Sequence, residues 1–326
     1  MDMHQDYSNG YSPLRERLMS ETMGEYRTFL QSLTADYKKV WRDIALGYFI
    51  LIICLYVISL STSLIWILLT IPFGALVIGY WVAYLQLFLH EGAHYNLAAN
   101  RKINDAICDY LICWMVGTSI KDYRVKHFQH HRKLGQHYDT EASYFNALTP
   151  RFIFSMLLWI YALQVILSRS KIKPEADSNH AESAGNIPLL RGIAIHAVLI
   201  ITLLACGAWP SALAWIGGMG IVFPFFGALR QILEHRSEKS NPAIDYKAVN
   251  HGALTRIFGN DLFSKTFGGA GFNKHLLHHW EPSLSYTRLG DFEDYLMKTS
   301  ASSIISAQKS NYLKTFLEIY KHDNAN

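Results

Sequence analysis

Three five-residue stretches hold eight of the chain's fifteen histidines: His90-Glu91-Gly92-Ala93-His94, His127-Phe128-Gln129-His130-His131 and His275-Leu276-Leu277-His278-His279. On a helix, residues three and four apart share a face, so each stretch aims two or three imidazoles in one direction. Neutral imidazole is a good ligand for iron, copper, nickel and zinc. Eight convergent imidazoles exceed the six positions of an octahedron, so two metal ions are the simplest count that uses them all. A lone pair at helical spacing reads as an ordinary buried histidine. Three windows, two of them with the same H-x-x-H-H spacing, argue against that reading.

The apolar residues that must position these windows are gathered in two runs. Ile44 to Leu89 is 46 positions without Asp, Glu, Lys or Arg, and Gly192 to Leu229 is another 38. A span takes about 20 apolar residues, so each run predicts a helical hairpin that crosses twice. The expected spans are about 44–60, 64–89, 187–206 and 211–230, turning at Ser61-Thr62-Ser63 and at Trp209-Pro210-Ser211. The fold class expected is an all-α polytopic membrane protein of four transmembrane helices, with a cytoplasmic helical cap that carries the windows. Segment 1–43 reads as a cytoplasmic lead, 44–295 as the membrane metal domain and 296–326 as a C-terminal cytoplasmic helix and tail.

Charge sets the orientation. All thirty Lys and Arg lie outside the two runs, which places both polar ends and the middle segment on the cytoplasmic side. Phe152 to Leu167 is apolar but only sixteen residues long, with Arg151 and Arg169 beside it. It is expected to lie in the interface, since a crossing there would strand the third window on the other side. Residues 1–43 lack the pattern of a cleaved signal peptide. A net charge of +4 fits juxtamembrane basic residues and calls for no nucleic acid. Cys54, Cys108, Cys113 and Cys206 show no metal or redox spacing and read as small buried hydrophobes.

His235 is a ninth candidate ligand, because it follows the fourth span at its cytoplasmic edge. Gln231 lies one turn earlier on the same face, placed to hold a metal-bound water. His4, His137, His180, His251 and His322 have no partner at helical spacing and read as solvated or supporting residues. His196 falls inside the third span, where it is either a core histidine or part of a substrate path.

The first window also reads His-Glu-x-x-His, the zinc protease signature, with Glu91 as general base. A zinc protease needs one further protein ligand and an open position, and this leaves six window histidines unused. A nitrogen-rich pair of irons uses them all, and iron with open positions can bind dioxygen and attack an unactivated C–H bond. At the membrane surface such a centre is reached by a lipophilic chain from the bilayer and by electrons from the cytoplasm.

In this order around two hairpins, H-x-x-x-H, H-x-x-H-H and H-x-x-H-H resemble the membrane fatty acid desaturase and hydroxylase superfamily. The resemblance covers roughly residues 45–295 and takes in Arg132, Gly135, Asp139, Glu141, Arg230, Glu234-His235, Asn273, Pro282, Tyr286 and Leu289. It implies a non-haem di-iron enzyme that uses dioxygen and two electrons. His90, His94, His127, His130, His131, His235, His275, His278 and His279 would be the iron ligands, and Gln231 would take the water-holding place of an Asn in related enzymes. Glu91, Asp139, Glu234 and Asn273 are expected to support them. The implied reaction is desaturation of a lipid acyl chain, with hydroxylation or ketolation of an alkyl chain or carotenoid ring as the alternative. No His-Pro-Gly-Gly haem segment is seen, so electrons are expected from a separate ferredoxin or cytochrome b5-type carrier with its reductase. Glu281 stands where lipid desaturases often carry a bulky apolar residue, and it reads as a solvated charge.

Overall fold

The computed structural model describes residues 11–135, 139–158, 160–161, 163–164, 185–237 and 255–325. His4, His137, His180 and His251, and the end of the Phe152–Leu167 stretch, lie outside them. Two short helices, α1 (Tyr11–Glu21) and α2 (Glu25–Ser32), precede the first long hairpin, α3 (Tyr37–Ser59) and α4 (Leu64–Ala93). Then come α5 (Arg101–Ile107), α6 (Ile120–Lys133) and α7 (Pro150–Leu157). The second hairpin is α8 (Ile187–Ala205) and α9 (Trp209–His235). Short helices complete the chain: α10 (Leu262–Phe267), α11 (His275–Trp280), α12 (Leu289–Leu296), α13 (Ser302–Ala307) and α14 (Tyr312–Asp323). No strand occurs among the described residues.

Four of these helices, α3, α4, α8 and α9, are long and apolar enough to cross a membrane. Their outer faces leave Phe49, Ile52, Trp66, Phe73 and Val198 exposed. In water such a surface would drive aggregation, whereas in a bilayer it is the solvated face. The expected four spans are therefore present, with shifted edges. α3 begins at Tyr37, seven residues before the uncharged run, because Asp36 caps it by accepting from the Lys39 amide at 3.2 Å. Trp209 and Pro210, expected in the second turn, instead form the first turn of α9, where proline's missing N–H costs nothing. Cys108 and Cys113 are buried as expected, but Cys206 is exposed in that turn.

Close contact between α4 and α9 brings the ends of both hairpins together. A Cβ on Gly79 would stand 2.4 Å from Val222 Cβ and 2.8 Å from the Gly218 carbonyl, so only glycine lets the two backbones approach this far. At that level α9 relaxes into a π-turn, Gly218–Val222. Pro224 lies just beyond and offers no N–H to the carbonyl one turn back. From this crossing α4 runs eleven residues on to His90, roughly 16 Å at the helical rise, and α9 runs on to His235 at the same end.

Candidate metal centre

The first window closes α4. His90 lies in its last turn and His94 one residue beyond its end. The final carbonyls are capped from other elements: Arg124 donates to Ala93 O at 2.9 Å and Gly92 O at 3.1 Å, and the Asn104 amide donates to Gly92 O at 2.9 Å. Tyr95 then takes a left-handed φ of 64°, with the Arg101 and Arg124 guanidiniums over its ring at 4.7 and 3.9 Å. Arg124 belongs to α6, so one side chain ends the first window's helix and fixes the second window beside it. α6 itself is started by Ser119, which accepts from the Asp122 amide at 3.1 Å.

The nine expected histidines come together in two sets. His90, His94, His127, His131 and His278 form one; His130, His235, His275 and His279 form the other; within each, one ring nitrogen per residue lies within 4.8 Å of all the others. In the first set the Nε2 of His127 stands 2.9 Å from that of His94 and 3.0 Å from that of His131, which is 3.1 Å from His278. In the second, His275 Nε2 lies 3.0 Å from His235 Nε2 and 3.2 Å from His279 Nε2. The repeated H-x-x-H-H spacing has a geometric use here. The i, i+4 pair of each window points into one set and the middle histidine into the other, in opposite senses for the second and third windows.

The donor set fits metal ions better than it fits a hydrogen-bonded cluster. His127 Nδ1–H donates to Glu141 Oε1 at 3.0 Å, and His130 Nδ1–H donates to Asp139 Oδ1 at 2.8 Å. A carboxylate that accepts from Nδ1–H fixes the proton there and leaves Nε2 as a lone pair aimed at its neighbours. Among the described residues, neither ring nitrogen of the buried His90 has a hydrogen-bond partner, and Nδ1 of His235 and of His275 likewise has none. Burial, and then the neighbouring imidazoles, push His131, His278 and His279 well below the ordinary histidine value. That shift favours the neutral imidazole, the form that can bind a metal.

Several residues back this arrangement. Asp139 also accepts from the Tyr144 hydroxyl at 2.5 Å and from the Glu141 amide at 2.9 Å. Burial alone would raise the Glu141 carboxyl, but the His130 and His127 imidazoles outweigh it and hold it down to about 2. Gln231 reaches the other Glu141 oxygen at 3.4 Å, so its amide bears on the first set through that carboxylate. Glu91 is buried and accepts from the Tyr286 amide at 3.1 Å, while its other oxygen stands 3.6 Å from His90 Nδ1. Glu234 pairs with Arg230 at 3.2 Å. Asn273 donates to Gly259 O at 3.1 Å and shapes the loop ahead of the third window.

Some expectations change. Glu281 is buried, not solvated: it accepts from the Tyr11 hydroxyl at 2.7 Å and pairs with Arg15 at 3.2 Å. His196 is half-buried, donating from Nε2 to Met115 O at 3.2 Å and accepting from Trp215 at Nδ1, also at 3.2 Å. Glu91, the candidate protease base, is turned onto Tyr286, and five imidazoles stand where a zinc protease needs three ligands. Three contributors were missed. Tyr123 stacks on His127 at 5.3 Å and lies one turn before it on α6, so the i, i+4 rule could have found it. Tyr144 and Phe272 carry no such signal; the Phe272 ring touches one histidine of each set, His90 at 4.6 Å and His275 at 4.8 Å.

Arg236, the residue after His235, fixes the end of α9 to the C-terminal helix. Its guanidinium donates to both Asp323 oxygens at 2.9 and 3.0 Å and to Phe145 O at 3.2 Å. Asp323→Ala leaves that buried charge without its carboxylate and is expected to cost about 3–5 kcal/mol. Thermal unfolding in detergent measures the loss, and a change under about 1 kcal/mol would place the pair among contacts that carry little.

A family model described as fatty acid desaturase matches residues 66–307, which includes all nine histidines. No curated protein matches the chain.

Proposed function

The chain belongs to the fatty acid desaturase family, and on that premise we propose that it is a membrane di-iron desaturase that introduces a double bond into a lipid acyl chain. The carrying observation is the five-and-four partition, which uses all nine candidate histidines and gives each ion its own set. His90, His94, His127, His131 and His278 hold one iron, and His130, His235, His275 and His279 hold the other. Bound there, the irons supply the redox chemistry in which dioxygen, two C–H hydrogens and two electrons with two protons become an alkene and two waters.

The remaining work belongs to the chain. Asp139 and Glu141 fix the ring orientation of His130 and His127, so the ligand lone pairs are set before metal arrives. Phe272 presents an apolar ring between the two sets. A pocket of about 10 Å³, lined by Tyr80, Ala83, Tyr84, Phe226, Arg230, Thr266 and Phe267, lies along the helices that carry His90 and His235. It holds about one water, so a lipid chain using this path must displace part of that lining. With the basic residues outside the spans, the centre faces the cytoplasm, where a separate carrier and reductase deliver electrons.

Two measurements test this reading. Protein purified without oxygen should hold close to two irons per chain; close to one zinc, with activity indifferent to iron removal, would overturn it. Mass spectrometry of lipids from a host expressing the gene should show products lighter by two hydrogens. Products heavier by one oxygen would move the assignment to hydroxylation.

A further inference from the structure

Residues 11–43 lie ahead of the family match and carry none of the nine histidines, yet they wall the outer side of the third window. The Tyr11 ring stacks on Trp280 at 5.3 Å with the planes 5° apart. Three donors from α1 and α2 converge on one oxygen of Glu281: the Tyr11 hydroxyl at 2.7 Å, Arg15 Nε at 3.2 Å and the Tyr26 hydroxyl at 3.3 Å. The Tyr11 and Tyr26 hydroxyls are also in hydrogen-bond contact, and since each phenol has one proton, Tyr26 donates either to Glu281 or to Tyr11 while Tyr11 donates to Glu281. Behind them Tyr26 packs on Phe292, and Phe29 stacks on Tyr295 at 4.1 Å.

Glu281 follows Trp280, the last residue of α11, and is only 9% exposed. A carboxylate at the carboxyl end of a helix faces the negative end of its dipole. Out of water it is retained only where donors hold it, and among the described residues its side-chain donors are Tyr11, Arg15 and Tyr26. The seam then continues along the next loop. The Asp36 amide donates to Thr287 Oγ1 at 3.0 Å, Arg288 donates to Thr34 O at 2.6 Å, and the Tyr286 hydroxyl donates to Asp43 at 2.9 Å. Tyr286 is the residue whose amide holds Glu91 beside His90. α11 has six residues, too few to keep a helix in register unaided.

We propose that residues 11–36 are an intramolecular clamp that fixes the third histidine window, with Glu281 the positioning residue through which it acts. This rests on the metal-binding reading above. The window gives His278 to the five-histidine set and His275 and His279 to the other, so a loosened clamp weakens both ions together.

The test uses the full chain loaded anaerobically with Fe(II). It follows iron loss to a ferrous chelator, together with the absorption spectrum of the Co(II)-loaded form. Glu281→Leu removes the acceptor, Glu281→Gln keeps an oxygen for the two phenols, and Tyr11→Phe keeps the stacking on Trp280 but loses a donor. Glu281→Leu should release both irons roughly 10- to 100-fold faster, the range for lost outer-shell support, with a shifted Co(II) spectrum. Glu281→Gln should restore most of the retention, and Tyr11→Phe should fall between. A folded Glu281→Leu chain with wild-type retention and spectrum overturns the clamp, even if it melts lower. Should that variant not fold, equal retention in Glu281→Gln, Tyr11→Phe and wild type overturns it. A wild-type chain that binds no iron sinks the metal reading itself, and the clamp with it.

Discussion

His235→Ala should abolish turnover and bring the iron content from about two per chain toward one. His235 is one of only four imidazoles in its set, and the other three come from α6 and α11. Removing it takes away a direct metal bond, so the loss should exceed the roughly 10–100-fold of an outer-shell change. His94→Ala is the instructive contrast, because it draws on the set of five and leaves four imidazoles behind; its iron content should fall less. A second comparison is His196→Gln. His196 bonds Met115 O and Trp215, away from either set, so this change should lower thermal stability and leave iron content alone. Iron content near two in His235→Ala, with activity intact, would leave only the eight window histidines as ligands.

The contrast between those variants marks where the sequence stops being informative. The windows were legible because their geometry is local: the i, i+3 and i+4 offsets fix which way each imidazole points on its own helix. The spans were legible because their composition has one favourable solvent. Which histidines share an ion is a different matter. It depends on the rotation of α6 and α11 about their axes, set by contacts such as Arg124 on the end of α4 and Tyr11 on Trp280. Nothing in H-x-x-H-H says that its middle histidine serves the other ion.

Glu281 shows the same boundary more sharply. A Glu beside Pro in a polar region reads as solvated, since exposure is the usual fate of a carboxylate. Its burial is decided by Tyr11, 270 positions earlier, and no local pattern links the two. Phe272 was missed for the related reason that an apolar residue near a window looks like ordinary core until its two imidazole contacts are measured. Tyr123 differs from both. Its place one turn before His127 follows from the helical period alone.

Asp139→Ala should give the second large loss, and it should fall on one ion only. The Asp139 carboxylate is buried and takes three donors: His130 Nδ1 at 2.8 Å, the Tyr144 hydroxyl at 2.5 Å and the Glu141 amide at 2.9 Å. Its removal takes the acceptor from the imidazole that points into the four-histidine set, so His130 loses both its fixed tautomer and its orientation. Affinity for that ion should drop by roughly 10–100-fold. Folding stability should fall by about 1–3 kcal/mol for each donor left unsatisfied. Glu141→Ala makes the mirror-image change, acting on the five-histidine set through His127. The two can be assigned by placing each in the His235→Ala background. If Asp139 serves the ion that His235 holds, Asp139→Ala should add little further iron loss there, because both changes act on one site and are not additive. Glu141→Ala in the same background should remove much of the remaining iron. The opposite pattern, with Asp139→Ala emptying the chain and Glu141→Ala adding nothing, would mean that the two carboxylates serve the other sets and that the five-and-four partition is wrong.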